Sequence, residues 1–282
     1  MNKNQPSFLR AVLFDMDNTL FDFVAAKLAA CREILAYLEK ENGRMGEGKE
    51  KAGAEGKEKA EAEGKVKAEA EGKVKAGAER GKEGEKEKAG AEGELFRYFL
   101  RGVHGFEDYE NIRDYMQERS LFTPPAYGRC CEIYEKEKLE KLELYPGVRA
   151  TFNELEKTDL KLAVITDADS AHARARLGKV GLLDSFELMV SADMTGRKKP
   201  DPEPFLFALR VLGVKPGETL VVGDNLLRDI APARKLGLRT AYAAYGDWKE
   251  WRNPGESAQA FDFRLNTFPD LLNCIRSLEE QK

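Results

Sequence analysis

Ala11-Val12-Leu13-Phe14-Asp15-Met16-Asp17-Asn18-Thr19-Leu20 sets two acids, two residues apart, directly after a short apolar run. Four consecutive apolar side chains leave no solvent face, so the run reads as a buried strand. A strand that stops at Asp-x-Asp places both carboxylates at the carboxyl end of a sheet, where open α/β folds bind ligands. An acidic loop that caps a helix is the other reading. The stretch alone leaves both open.

Downstream, the pattern turns helical. Val24, Leu28, Cys31, Leu35 and Leu38 recur at helical spacing, with Lys27, Arg32, Glu33 and Glu39 on the opposite face. Residues 43–93 are low-complexity Gly, Glu, Lys and Ala, with an eight-residue repeat over 50–57, 58–65 and 66–73 and a degraded copy from Val74. Glu61–Lys65 and Glu69–Lys73 are i, i+4 pairs worth about 0.2–0.5 kcal/mol each in a helix. Each repeat also carries a glycine, which costs about 1 kcal/mol relative to alanine. The opposing contributions nearly cancel, and almost nothing there is apolar enough to build a core. The segment is expected to be a solvated insertion, disordered or transiently helical, with no catalytic part.

Order is expected to resume near Leu95, with aromatic-rich helices over 95–100, 109–119 and 127–139 and Pro124-Pro125 separating the last two. From Leu144 onward, strands alternate with helices. Residues 162–165, 188–190, 220–222, 240–243 and 261–265 read as strands, and 171–180, 205–212, 233–236 and 269–278 as helices. Such alternation argues for a Rossmann-like, doubly covered parallel sheet. The expected architecture is an α/β core over 1–21 and 145–282, with an inserted helical cap over 22–144 that contains the repeat.

Composition narrows the function classes. With 282 residues and a net charge of −4, the chain is long enough for one large or two ordinary domains and has no basic stripe for nucleic acid. No run approaches a membrane span, and residues 1–10 lack the apolar core of a secretory leader. Cys31, Cys130, Cys131 and Cys274 show no metal-ligand spacing and read as reduced thiols of a cytoplasmic protein. His104 and His172 have no Gly-x-Ser-x-Gly partner motif, and His172 reads as packing.

Polar groups collect at the strand ends. Asp15 and Asp17 close the first strand. Thr166 closes the next, where its hydroxyl and the following N–H at Asp167 suit an anionic oxygen. Lys198-Lys199-Pro200-Asp201-Pro202 forms a loop stiffened by proline, and Gly223-Asp224-Asn225 ends a later strand with Asp229 five residues beyond Asp224. Carboxylates alone would repel a phosphate dianion; a hard divalent cation held by oxygens inverts that logic. Asn18 and Asn225 read as loop-shaping residues, while Arg228 could face either the site or solvent.

These four motifs, in this order, resemble the haloacid dehalogenase superfamily with its type I helical cap. The resemblance covers nearly everything except the repeat. It implies that Asp15 is the nucleophile, forming an aspartyl-phosphate, and that Asp17 is the general acid/base. It further implies that Thr166 and Asp167 hold phosphate together with Lys199, Lys198 being the alternative cation. Asp15, Asp224 and the main-chain carbonyl of Asp17 would bind Mg2+, and Asp229 would either join that shell or orient it through water and Lys199. Dehalogenases of the superfamily expel halide, need no proton donor and usually lack the second acid, so Asp17 favours phosphoryl transfer. The expected function is an Mg2+-dependent phosphatase for a small cytosolic phosphomonoester: a triose phosphate, phosphoglycolate, a sugar phosphate or a nucleotide. A phosphomutase, a 2-haloacid dehalogenase-type hydrolase and a non-catalytic scaffold are the alternatives. No nucleic-acid or membrane partner is expected, and a cap over the site would restrict it to small molecules.

Because the repeat should contribute neither core nor chemistry, deleting residues 46–90 should leave folding and phosphate release essentially intact. An insoluble or inactive product, judged by solubility and circular dichroism alongside the assay, would contradict that reading.

Overall fold

Continuous apolar runs are buried on both faces of a parallel sheet, and the first strand shows why. In the computed structural model, which describes residues 9–54, 91–248 and 261–280 (backbone only for 43–54 and 91–92), β1 (Ala11–Phe14) is wholly buried. Its side chains alternate between two cores. Ala11 and Leu13 join Ala163, Ile165, Val190, Phe205, Leu209, Leu212 and Val221 on one face. Phe14 points to the other, against Phe152, Phe186 and Phe268, with ring centroids 5.4, 6.0 and 6.1 Å away.

The remaining strands are β2 (Lys161–Ile165), β3 (Leu188–Val190), β4 (Thr219–Gly223), β5 (Arg239–Ala243) and β6 (Phe263–Leu265). Together the six form one sheet in the order β3-β2-β1-β4-β5-β6, and every pairing is parallel. The expected α/β Rossmann-like fold is therefore present. Strand order reverses at β1, which pairs with β2 on one side and β4 on the other. That makes the carboxyl end of β1 a topological switch point, where a crevice opens between diverging connections.

The helices are α1 (Phe23–Ala54), α2 (Ala91–Leu100), α3 (Glu110–Glu118), α4 (Pro124–Glu140), α5 (Val148–Leu155), α6 (Ser170–Lys179), α7 (Ala192–Thr195), α8 (Glu203–Leu212), α9 (Ala231–Lys235) and α10 (Asp270–Glu280). Four differ from expectation, one being the single-turn α7, for which no helix was read. α1 does not stop near Leu38 but runs to Ala54, because Glu, Lys and Ala extend an existing helix far more readily than they start one. The rest of the repeat, 55–90, lies outside the described residues. Pro124-Pro125 opens α4 rather than preceding it, since first-turn N–H groups have no helical acceptor to lose. α5 was not expected at all; it contributes the buried Phe152 that packs on Phe14.

By contact, the chain divides into two units, Met1–Ala26 with Lys138–Lys282, and Lys27–Glu137. The second has its own interior. Lys27 is fully buried there, its ammonium 3.4 and 4.2 Å from the ring centroids of Phe106 and Phe99 and donating to the Phe106 carbonyl. Tyr134 stacks on Phe99 at 5.2 Å. Among the described residues no helix is long and apolar enough to cross a membrane.

Phe152 is fully buried within the aromatic cluster. Phe152→Ala should therefore lower stability to urea by about 3–5 kcal/mol; a loss below about 1 kcal/mol would show that this cluster does not carry the core.

Candidate active site

Parallel register brings the strand ends level. Phe14 pairs with Val164 of β2 and with Val222 of β4, so Asp15 emerges between Ile165 and Gly223, its N–H bonded to the Val222 carbonyl at 2.8 Å. Asp15 is nevertheless buried. A buried carboxylate needs partners, and Asp15 has two. Lys199 Nζ donates to Oδ1, and Thr19 Oγ1 donates to Oδ2 at 3.1 Å.

Lys199 is the hub. Its ammonium is buried and also meets Asp229 Oδ1 at 2.6 Å and the Ile165 carbonyl at 3.1 Å. Desolvation opposes its charge, but the carboxylates of Asp15, Asp229 and Asp167 outweigh that and hold its pKa above the ordinary value. Lys198 is exposed, which leaves Lys199 as the inward cation.

Asp224 and Asp229 complete the acidic side. Oxygens of Asp15, Asp224 and Asp229 lie within 4.8 Å of one another, all three residues being buried. Burial and then the charges of Asp15 and Asp229 push the Asp224 carboxyl well above its usual range. Asp229 is pushed up to about 6, again by burial, with Lys199 pulling the other way. Three buried carboxylates facing one ammonium have surplus negative charge, and their hard oxygen donors suit Mg2+. Two glycines permit this closeness. A Cβ at Gly223 would lie 2.5 Å from Asp229 Cβ, and one at Gly246 would lie 1.7 Å from the Asn18 carbonyl oxygen.

The other expected residues gather around this centre. Thr166 is buried just past β2, its N–H donating to the Val190 carbonyl at 2.9 Å and its hydroxyl accepting from Ala168 N at 3.2 Å. The Asp167 carboxylate accepts from the Lys199 N–H at 2.8 Å and faces Arg228 Nη1 at 3.4 Å, bracing the three loops together. Arg228 is thus turned toward the site, and Asp229, Asp15, Asp167 and Asp224 outweigh desolvation to raise its pKa. Asp17 stands apart from the three clustered acids; its Oδ2 accepts from Arg176 Nη1 at 2.7 Å.

Asn18 and Asn225 shape loops. Asn18, with φ 61°, accepts from the N–H groups of Phe23 and Val24 at 3.1 Å and so caps α1. Asn225 caps the π-turn Leu226–Ile230 through Leu227 N and Arg228 N. His172 is not packing: it is exposed at the surface and pairs with Asp169 at 2.6 Å. Besides Arg176 at Asp17, two contributors went unread in the sequence. Thr19 bridges the loops by donating to Asp15 and accepting from the Asp224 N–H at 3.1 Å; its fixed distance from Asp15 is the only sequence signal. Tyr245 donates to the Thr19 carbonyl at 2.7 Å, and nothing in its local sequence marks it.

A family model described as haloacid dehalogenase-like hydrolase matches residues 9–237. A glyceraldehyde 3-phosphate phosphatase of Methanocaldococcus jannaschii is 31% identical over 52% of this chain and 63% of its own length. The chain thus spans under two thirds of that relative. An N-acetylmuramic acid 6-phosphate phosphatase of Pseudomonas putida is 28% identical over 84% of both chains. The crystal structure of a HAD phosphatase from Thermococcus onnurineus superposes with a TM-score of 0.57 at 21% identity, covering 95% of this chain and 98% of that one.

A carboxyl whose pKa is raised by folding supports the fold below its unfolded value, 3.8, and opposes it as pH rises through the folded value, about 6 for Asp229. Asp224→Asn removes one of the mutually repelling charges. In EDTA at neutral pH it should melt above the parent, with the gap closing as pH is lowered and the raised carboxyls of the parent take up protons. A variant that melts lower at neutral pH would show that the acids do not strain one another.

Proposed function

The chain belongs to the haloacid dehalogenase-like hydrolases, and from that membership we propose that it is an Mg2+-dependent phosphatase of small phosphomonoesters. The observation that carries the reading is the buried Asp15–Lys199–Asp229 arrangement with Asp224 beside it. It offers one carboxylate to attack, one fixed cation, and acids that a metal would neutralise. Asp15, Asp224, Asp229 and the Asp17 carbonyl would hold Mg2+. When bound, the ion supplies the positive charge that lets a phosphate dianion approach carboxylates.

Asp15 Oδ2 forms the bond to phosphorus while the ester P–O bond breaks. Asp17 passes a proton to the departing alkoxide, leaving the aspartyl-phosphate. Asp17 then takes a proton from water, whose oxygen attacks phosphorus and releases phosphate, regenerating Asp15. Lys199 keeps its proton throughout and orients Asp15. The Thr166 hydroxyl and the Asp167 N–H are assigned to the phosphoryl oxygens.

The two relatives in view are named for phosphatase action on small phosphorylated metabolites, which supports a substrate of that class. The Lys27–Glu137 unit is assigned as the family's helical cap. Asp17 counts against halide displacement, which needs no proton, and an intact acid–lysine set counts against a scaffold.

Purified protein should release phosphate from para-nitrophenyl phosphate with Mg2+ and lose that activity in EDTA. Asp15→Asn should lower the rate by roughly three orders of magnitude or more; a variant as active as the parent would sink the mechanism. A panel of phosphorylated metabolites ranked by kcat/KM identifies the substrate.

A further inference from the structure

Arg176 sits on α6 between Arg174 and Lys179, both exposed. It is instead only 3% exposed. Its Nη1 donates to Asp17 Oδ2 at 2.7 Å across 159 positions of sequence. Its guanidinium carbon lies 4.0 Å from the centre of the Phe23 ring. Phe23 is itself held, because its N–H is capped by Asn18. The α6 N-terminus is tied down as well, with Asp169 accepting from the His172 N–H and Asp193 accepting from Ser170.

A buried guanidinium is tolerated only when paired and well packed, so Arg176 has little freedom to leave this position. Asp17 is 20% exposed at its side chain while its Oδ1 is buried, which leaves Oδ2, the oxygen that Arg176 grips, as the one that can meet a leaving group. An aspartate at the end of a strand would otherwise sample several χ1 wells. Proton transfer requires a donor within about 2.6–3.2 Å of the acceptor, and a displacement of 1 Å costs about a hundredfold in rate.

We propose that Arg176 is a positioning residue that holds one oxygen of Asp17 and so keeps this carboxylate in the rotamer that serves the leaving group. The inference rests on Asp17 being the general acid. It assigns a role to α6 that the strand-end motifs do not contain. The grip comes from a helix that follows β2, whereas the carboxylate it holds follows β1.

The test compares two esters with the same ring. Nitrophenolate departs readily without a proton, while phenolate, whose conjugate acid has a pKa near 10 like tyrosine (about 10), benefits from one. With enzyme in excess and Mg2+ present, first-turnover release of the phenol reports P–O cleavage alone. Arg176→Met should slow phenyl phosphate by about tenfold or more and para-nitrophenyl phosphate by less than about threefold. Arg176→Lys, which keeps charge but not the planar fork, should show a smaller loss of the same selectivity. If the Met variant is insoluble, the Lys variant carries the comparison. Equal losses on both esters, no loss, or a faster reaction on phenyl phosphate would overturn the inference. Asp17→Asn measured in parallel separates the two ideas. It should lose about a hundredfold or more on phenyl phosphate with little change on the nitrophenyl ester, and equal losses there would overturn the general-acid reading itself.

Discussion

A lysine ammonium buried between two aspartates is the interaction on which the rest of the site depends. Lys199 reaches Asp15 and Asp229 with both side-chain ends almost wholly buried. Removing one partner of such a group costs about 3–5 kcal/mol, because the remaining charge is left in a poorly solvating interior. The loops carrying these three residues are therefore held together by a strong penalty against separation. The surplus carboxylate charge around Lys199 is the complement of a divalent cation.

The sheet makes that meeting possible. In a parallel sheet all strands end on the same side, so residues following β1, β2 and β4 arrive at one rim. Short polar contacts then lock the rim. Thr19 links the β1 and β4 loops, and Asp167 links the β2 loop to the Lys199 backbone. The missing side chains of Gly223 and Gly246 are part of the same construction, since a Cβ at either would displace a neighbour the site requires.

Legibility followed from how local each signal was. β1, β2 and β4 were readable because full burial on both faces demands unbroken apolar runs. α5 was not, since Val148, Thr151, Phe152 and Leu155 form a buried stripe only two turns long, too short to stand out beside Leu144–Gly147. α1 outruns its apolar stripe because helix extension depends on what precedes a segment as well as on its composition. Lys199 and Lys198 were ambiguous as neighbours, and burial separates them.

Taken alone, the amino-acid order determined a parallel α/β sheet and the strand-end residues from which a site could be built. Both follow from short-range rules, in which apolar runs make strands and polar residues at their ends face the rim. Tertiary structure decided which side chains meet: that Lys199 lies between Asp15 and Asp229, that Arg228 turns toward Asp167, and that Arg176 is buried against Asp17. Those pairings join positions as far as 184 residues apart. No local pattern encodes them, because the energy that selects each one is the cost of leaving a charge buried without its partner, and burial is a property of the assembled fold.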